Sequence, residues 1–166
     1  MPAVEPHPVM FPLRAAMEAR DLSAVMACFA PDAVFRSPFT ANLAFTGREQ
    51  IRALVTVLFE VFEDLHYTGE ARGENAAFLA GRARIGGQDV EFADHLRLRP
   101  DGMIAEFTVF FRPLPATAVA LRVIGAGLAR RKSPVRAAVI SALARPLAVM
   151  TRAGDGIGVR LIRSAL

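Results

Sequence analysis

The sequence predicts one α+β domain carrying a helical C-terminal extension, and three observations lead there. Up to about residue 63 apolar residues recur at helical spacing. From Leu65 the period drops to two over four segments, divided by Gly-Glu-Asn, Gly-Gly and Pro-Asp-Gly turn signals. Past Pro113 the chain turns apolar and basic. Helices first and sequential strands afterwards imply a mostly antiparallel sheet that curls around the long helix preceding it. The domain is set at residues 1–113 and the extension at 114–166.

Taken in order, Leu13, Ala16 and Met17 form a short apolar helical stripe. After the Arg20-Asp21 corner, where Asp21 suits an N-cap, Leu22, Val25, Met26 and Phe29 form another. Ala33 to Ser37 reads as a short strand, followed by the apolar loop PFTANLAFTG. Thr46 and Glu49 have capping-box spacing ahead of Ile51, Leu54, Val55, Leu58 and Phe62, which predicts a helix over about 47–63. Strands are expected at 65–74, 77–86, 89–99 and 103–112. Two helices follow at 115–132 and 135–150, divided by Ser133-Pro134, with Pro146 expected to end or kink the second ahead of a Gly-rich tail.

Composition bounds the class. At 166 residues and 53% hydrophobic, the chain suffices for one sizeable core but not comfortably for two. Cys28 stands alone and MPAVEPHPVM lacks the basic and long apolar regions of a secretory signal, so a reducing cytoplasm is expected. Arg122, Arg136 and Arg145 interrupt every apolar run that approaches bilayer-spanning length. Residues 1–113 hold 11 Lys and Arg against 15 Asp and Glu, net −4, whereas 114–166 hold nine against one, net +8. The two parts therefore have different roles.

One carboxylate falls on an apolar face. In FADHLRLRPDGMIAEFTVFF, Asp94 shares its parity with Phe92, Leu96 and Leu98. Tyr67, the sole tyrosine, shares a face with Leu65, Gly69 and Ala71 that is expected to look inward, while His66 and His95 take the opposite parity. Arg82 and Arg84 are expected to point out, although Leu79, Ala83 and Ile85 compete with Phe78 and Ala80 for the inner face. Neither the histidines, with His7 in the N-terminal tail, nor Cys28 have metal-ligand spacing, so no metal is expected. No phosphate-cradling glycine loop, nucleophile elbow or dinucleotide fingerprint is present, so no cofactor is expected either.

The strings EARDLSAVMACFAPDAVFRSP, TGREQIRALVTVLF and FADHLRLRPDGMIAEFTVFF together resemble the nuclear transport factor two-like superfamily, in its SnoaL-like and ketosteroid isomerase-like branches, over roughly residues 10–113. The resemblance implies a cone-shaped α+β barrel with an apolar pocket between sheet and helices, and dimers formed through the outer sheet face. It does not imply one activity, since this fold hosts isomerases, cyclases, hydrolases and non-catalytic binders. The steroid-isomerase site carries over only in part: Ser37 stands at the place of the general base and Leu13 at that of the oxyanion-hole tyrosine, whereas Asp94-His95 matches the second oxyanion donor. An epoxide-hydrolase Asp-Arg-Asp arrangement would need Arg82 or Arg84 turned inward and a second carboxylate, yet Glu106 alternates with Phe107, Val109 and Phe111 and should point out.

Within such a pocket Phe35, Tyr67, Phe92, Phe107, Val109 and Phe111 are the expected lining, with Phe39, Leu43 and Phe45 at its mouth, and a lipid-like, polyketide-like or terpenoid-like small molecule is the expected partner. Asp94 is the candidate catalytic residue, as acid/base or hydrogen-bond donor; the alternative is a carboxylate tied down for structural reasons. Three functions follow: a SnoaL-like enzyme, a non-catalytic carrier or sensor, and an assembly protein whose pocket is filled by its own side chains. A homodimer is expected through the outer sheet face, where His95, Arg97 and Arg99 alternate and Ile104 and Phe110 add apolar area. For the extension, docking on the sheet or pocket mouth of the same or a partner subunit is favoured. An anionic membrane surface comes second, because Arg136 and Arg145 fall about 180° apart on a helix. Nucleic acid is disfavoured by the absence of aromatic residues from this segment.

Overall fold

The computed structural model describes residues 12–164. Its elements are α1 (Pro12–Glu18), α2 (Leu22–Cys28), β1 (Phe29–Arg36), β2 (Ala44–Thr46), α3 (Gly47–Val61), β3 (Phe62–Arg72), β4 (Ala76–Ile85), β5 (Gln88–Leu98), β6 (Ile104–Arg112), α4 (Leu114–Arg130) and α5 (Pro134–Ser164). The strands form one sheet in the order β2-β1-β6-β5-β4-β3. Every pairing is antiparallel except β1 with β6, so the expected α+β architecture is present.

The long helix α3 buries Ile51, Leu54, Val55, Val57 and Leu58 against the concave side of this sheet. An arginine fastens each of its ends. Arg48 donates from Nε and Nη2 to the Phe29 carbonyl at 2.8 and 2.6 Å, tying the first turn to β1. At the other end the Arg20 guanidinium donates to the carbonyl of Phe59, which the last turn of α3 leaves without an intrahelical partner, and to that of Phe62 at the start of β3. Arg20 is held in place by the corner it occupies, with φ of 55°, and Asp21 caps α2 by accepting the Ala24 N–H at 3.0 Å.

Several local expectations are corrected. The Thr46 side chain makes no capping bond; the Thr46 N–H is instead taken by Gln50 Oε1 at 3.1 Å, one residue beyond the capping-box position. Phe29 opens β1 rather than closing α2, and a register shift between Phe29 and Val34 lets both ends of this strand reach β6. Ile104, expected outside, is fully buried: β6 pairs Glu106 with Arg97 but Ile104 with Leu98, so Ala105 is an extra residue that returns Ile104 to the inner face. Ala71 is exposed rather than inward, because β3 shifts register between Tyr67 and Gly69.

Beyond the sheet, α4 packs on α3 and on the edge of β4, β5 and β6, burying Ala116, Ala120 and Ile124. A Cβ on Gly127 would lie 2.7 Å from Val57 Cγ1, so glycine sets the α3–α4 approach. Helix α5 lies on α4 through Ala137 and Ala144. Pro146 does not end it: the helix runs on through the Gly-rich segment to Ser164. Proline removes the bond to the carbonyl four residues earlier and crowds that carbonyl, here of exposed Ala142 on a side of the helix open to water. Despite its arginines, the stretch Pro134–Asp155 is long and apolar enough to cross a membrane, with mean hydropathy 1.2.

Strand β4 alternates strictly, with Ala77, Leu79, Gly81, Ala83 and Ile85 inward. Gly81 is the narrow point: a Cβ there would lie 2.3 Å from Phe92 Cζ and 2.8 Å from the His66 carbonyl oxygen. A ring can tilt away, but the backbone of a paired strand cannot. Gly81→Ala is therefore expected to cost about 1–3 kcal/mol, read as a melting temperature lower by several degrees in a thermal scan.

Candidate functional site

Strand β5 turns Val90, Phe92, Asp94, Leu96 and Leu98 inward, so pleat alone carries Asp94 into the core beside Leu79 and Val109 of the neighbouring strands. Among the described residues it is the one polar or charged residue that is buried, at 3% exposure. Tyr67 reaches it from β3. That strand is irregular on both sides of Tyr67, with register shifts at Glu63/His66 and Tyr67/Gly69 and with Asp64 at φ 51°. The Tyr67 N–H donates to Glu18 Oε1 of α1 at 2.8 Å, which satisfies a main-chain donor beside the bulge. Phe92 stands edge-on to the Tyr67 ring at 5.3 Å, and Tyr67 Oη donates to Asp94 Oδ2 at 3.3 Å.

Burial raises the Asp94 pKa from the ordinary aspartate value to about 8, with the Tyr67 hydrogen bond pulling the other way. Tyr67 is also pushed up, first by burial and then by Asp94. At neutral pH the pair is thus a phenol donating to an uncharged carboxylic acid, whose own proton is left to donate onward.

Both groups line a cavity of about 100 Å3 between sheet and helices. Phe35, Phe92, Phe107 and Val109 are buried in its wall, and Phe111 is half-buried there, edge-on to Phe39 at 5.9 Å. Phe35 and Phe107 stack at 4.9 Å across the parallel β1–β6 pair. Phe39, Leu43 and Phe45 also line it. A pocket between sheet and helices, with the extension docked on the sheet or pocket mouth, is expected from the sequence, but the residues of its helical side are not: Met17, Leu54 and Leu58 line it from α1 and α3, and Leu121, Ile124 and Leu128 from α4. The helical stripe of α3 pointed to a core face, while the nearly all-apolar α4 gave no sign of which side would meet the cavity.

The remaining polar candidates lie elsewhere. Arg82 and Arg84 are exposed and pair with Glu91 at 3.4 Å and Asp89 at 3.2 Å. Glu106 sits on the outer face between Arg36 and Arg97, with the Arg36 hydrogen bond foremost in holding its pKa low. Among the described residues no Asp-Arg-Asp arrangement is assembled around Asp94. Leu13 and Ser37 line the cavity, and the Ser37 hydroxyl accepts the Phe39 N–H at 3.2 Å. The His66 ring is exposed, with Nδ1 2.9 Å from the Asp64 carbonyl oxygen, and His95 stacks on exposed Phe78 at 4.5 Å. His7 lies outside the described residues. Among the described residues no cluster of three His, Cys, Asp or Glu could hold a metal ion.

The model of the SnoaL-like domain family matches residues 13–107. The chain belongs to this family. Its structure is similar to that of a steroid delta-isomerase from Pseudomonas aeruginosa, with 28% identity, TM-score 0.61, and 72% of this chain and 85% of that one covered. It is also similar to an uncharacterised protein with a cystatin-like fold from Silicibacter pomeroyi DSS-3, with 23% identity, TM-score 0.66, and 79% and 90% covered. A third neighbour is a candidate SnoaL-like polyketide cyclase from Shewanella denitrificans OS-217, with 14% identity, TM-score 0.51, and 61% and 85% covered. No curated protein matches the chain in sequence. The matched region ends inside β6, so α4 and α5 lie outside it.

A carboxyl whose pKa is raised by folding destabilises the native state wherever the unfolded chain is ionised and the folded one is not. Stability attributable to Asp94 is fully present below about pH 4 and is lost as pH rises toward 8. Four pKa units correspond to on the order of 5 kcal/mol. Asp94→Asn should remove this slope, so that variant and wild type have similar urea midpoints near pH 4 while the variant is the more stable at pH 8.

Proposed function

We propose that this protein binds a small apolar molecule bearing one carbonyl or hydroxyl oxygen, which receives a hydrogen bond from protonated Asp94, while the Tyr67 phenol, donating to Asp94 Oδ2, holds that carboxyl in place. The observation that carries the reading is the Tyr67–Asp94 pair itself: a phenol donating at 3.3 Å to a buried carboxyl, in a wall whose other lining residues are apolar apart from Ser37. Donors held neutral in a dry site favour an oxygen that gains negative charge or lacks another partner. The isomerase named among the structural neighbours acts on steroids, and the family includes cyclases. Here Ser37 occupies the place of the expected base, so the site is read as a binder and polariser of its ligand, with proton abstraction left without an agent.

The cavity limits the guest. About 100 Å3 is below the roughly 300–1,000 Å3 typical of sites for drug-sized ligands. A ring-sized molecule fits as the walls stand, and a polycyclic one requires Leu121, Ile124 and Leu128 of α4 to move outward.

The chain has one tyrosine and no tryptophan, so its intrinsic emission reports on this site alone. Cyclohexanone should alter Tyr67 emission saturably, and the hydrocarbon of the same shape, methylenecyclohexane, should bind more weakly. Asp94→Asn, which keeps a donor, should retain ketone affinity. Asp94→Leu should lose about tenfold, the equivalent of one hydrogen bond, without losing affinity for the hydrocarbon. Wild-type ketone affinity should fall as pH rises through about 8, where Asp94 ionises. Equal binding of ketone and hydrocarbon would remove the donor role, and turnover of a β,γ-unsaturated ketone abolished in Asp94→Asn would establish an enzyme instead.

The outer sheet face supports a second proposal, a homodimer. Phe78 and Phe110 are 53% and 59% exposed there, and Phe78 is already stacked on His95. Multi-angle light scattering should give twice the chain mass at micromolar concentration, and the single-chain mass for Phe110→Asp.

A further inference from the structure

Helix α5 has two unlike sides. Ala137, Ala144 and Ile140 turn to α4, where a Cβ on Gly125 would come within 3.1 Å of Ile140 Cγ2. On the other side Val135, Val139, Leu143, Val149 and Met150 are between 51% and 76% exposed. At about 100° per residue these five fall in one arc of roughly 120°. Arg136 lies at one margin of the arc, beside exposed Leu147, and Arg145 and Arg152 lie at the other. Placing Arg136 and Arg145 half a turn apart spoils a basic face on an isolated helix. With α4 covering one of the two sectors between them, the same separation puts a cation on each flank of the apolar stripe, where long side chains extend into water from an embedded face.

A second observation points to the chemistry of the partner. The open groove between α4 and α5 has Arg122, Arg145, Arg152 and Ser141 in its lining, beside Val119, Ala148, Val149 and Ala153. None of these arginines takes part in an ion pair among the described residues. Between Pro134 and Gly154 helix α5 has no Asp or Glu. Guanidinium groups gathered beside a hydroxyl, without a carboxylate, match phosphate oxygens.

We propose that the outer side of α5 is a docking surface for an anionic lipid bilayer. The helix lies in the plane of the membrane, with Leu143 and Met150 among the acyl chains and headgroup phosphates in the groove of Arg122, Arg145 and Arg152. The composition of Pro134–Asp155 would also allow a span, but a span would place Arg145 near mid-membrane, where a charge is costly, and would strip α5 from α4.

The full-length chain tests this by co-sedimentation with phosphatidylcholine vesicles, with and without phosphatidylglycerol. Binding is expected to the anionic vesicles, weaker by about tenfold to the neutral ones, and reversed by about 0.5 M salt. Leu143→Asp with Met150→Asp should abolish binding at an unchanged melting temperature, because both side chains are exposed. Arg145→Glu with Arg152→Glu should reduce it at least tenfold, at about 1 kcal/mol for each cation. The proposal is overturned if wild type ignores anionic vesicles, if the double aspartate variant binds as wild type does, or if that variant turns a lipid-free dimer into a monomer, which would make the face a self-interface. Resistance to both salt and alkaline carbonate would overturn it in favour of a span.

Discussion

The contact between Tyr67 and Asp94 requires a carboxyl group to sit in the core with no cation to balance it. Most of the surrounding construction makes that tolerable. The group avoids the cost of an isolated buried charge by staying protonated, and as an acid it needs partners for one proton and two oxygens. The phenol of Tyr67 is one partner. To bring that phenol across, β3 departs from regular pairing on both sides of Tyr67, and α1 supplies Glu18 for the donor beside the disturbed ladder. Gly81 leaves the space in which the Phe92 ring can stand against the tyrosine. A bulge, a helix carboxylate and a glycine on three elements thus serve one interaction.

How much of this could be read beforehand depends on the range of the forces involved. The helices and strands were legible because their apolar periods are local, and Asp94 was legible because strand parity is local too: an even-numbered residue between Phe92 and Leu96 must face where they face. The outward turn of Arg82 and Arg84 follows from the same rule once Leu79 and Ile85 take the core. Parity fails where the ladder slips. Ile104 was assigned outward because Ala105 is an extra residue that only the pairing with β5 reveals, and Ala71 was assigned inward through the slip beside Gly69. Likewise, no local signal linked Tyr67 to Asp94, which are 27 residues apart in sequence and joined through the intervening strand β4.

The extension illustrates a different limit. Proline at 146 is expected to end or kink α5, yet a helix supported along one side by a neighbour can lose one hydrogen bond and continue. Angular positions of the arginines were calculable from the sequence, but their meaning was not. Which sector between Arg136 and Arg145 is covered depends on where α4 lies, and that is fixed by the close approach of Gly127 to Val57 far away in the chain.

Helix α4 belongs to two assemblies at once. Its inner side, through Leu121, Ile124 and Leu128, is a wall of the cavity, and its outer side is the seat of α5. The two sides are therefore thermodynamically linked, with the helix itself as the common variable. A guest that forces the wall outward must also displace the seat, and by reciprocity anything that holds α5 in a new position changes the work of admitting that guest by the same free energy. Helix α4 is thus the one element shared by the cavity wall and the seat of the last helix.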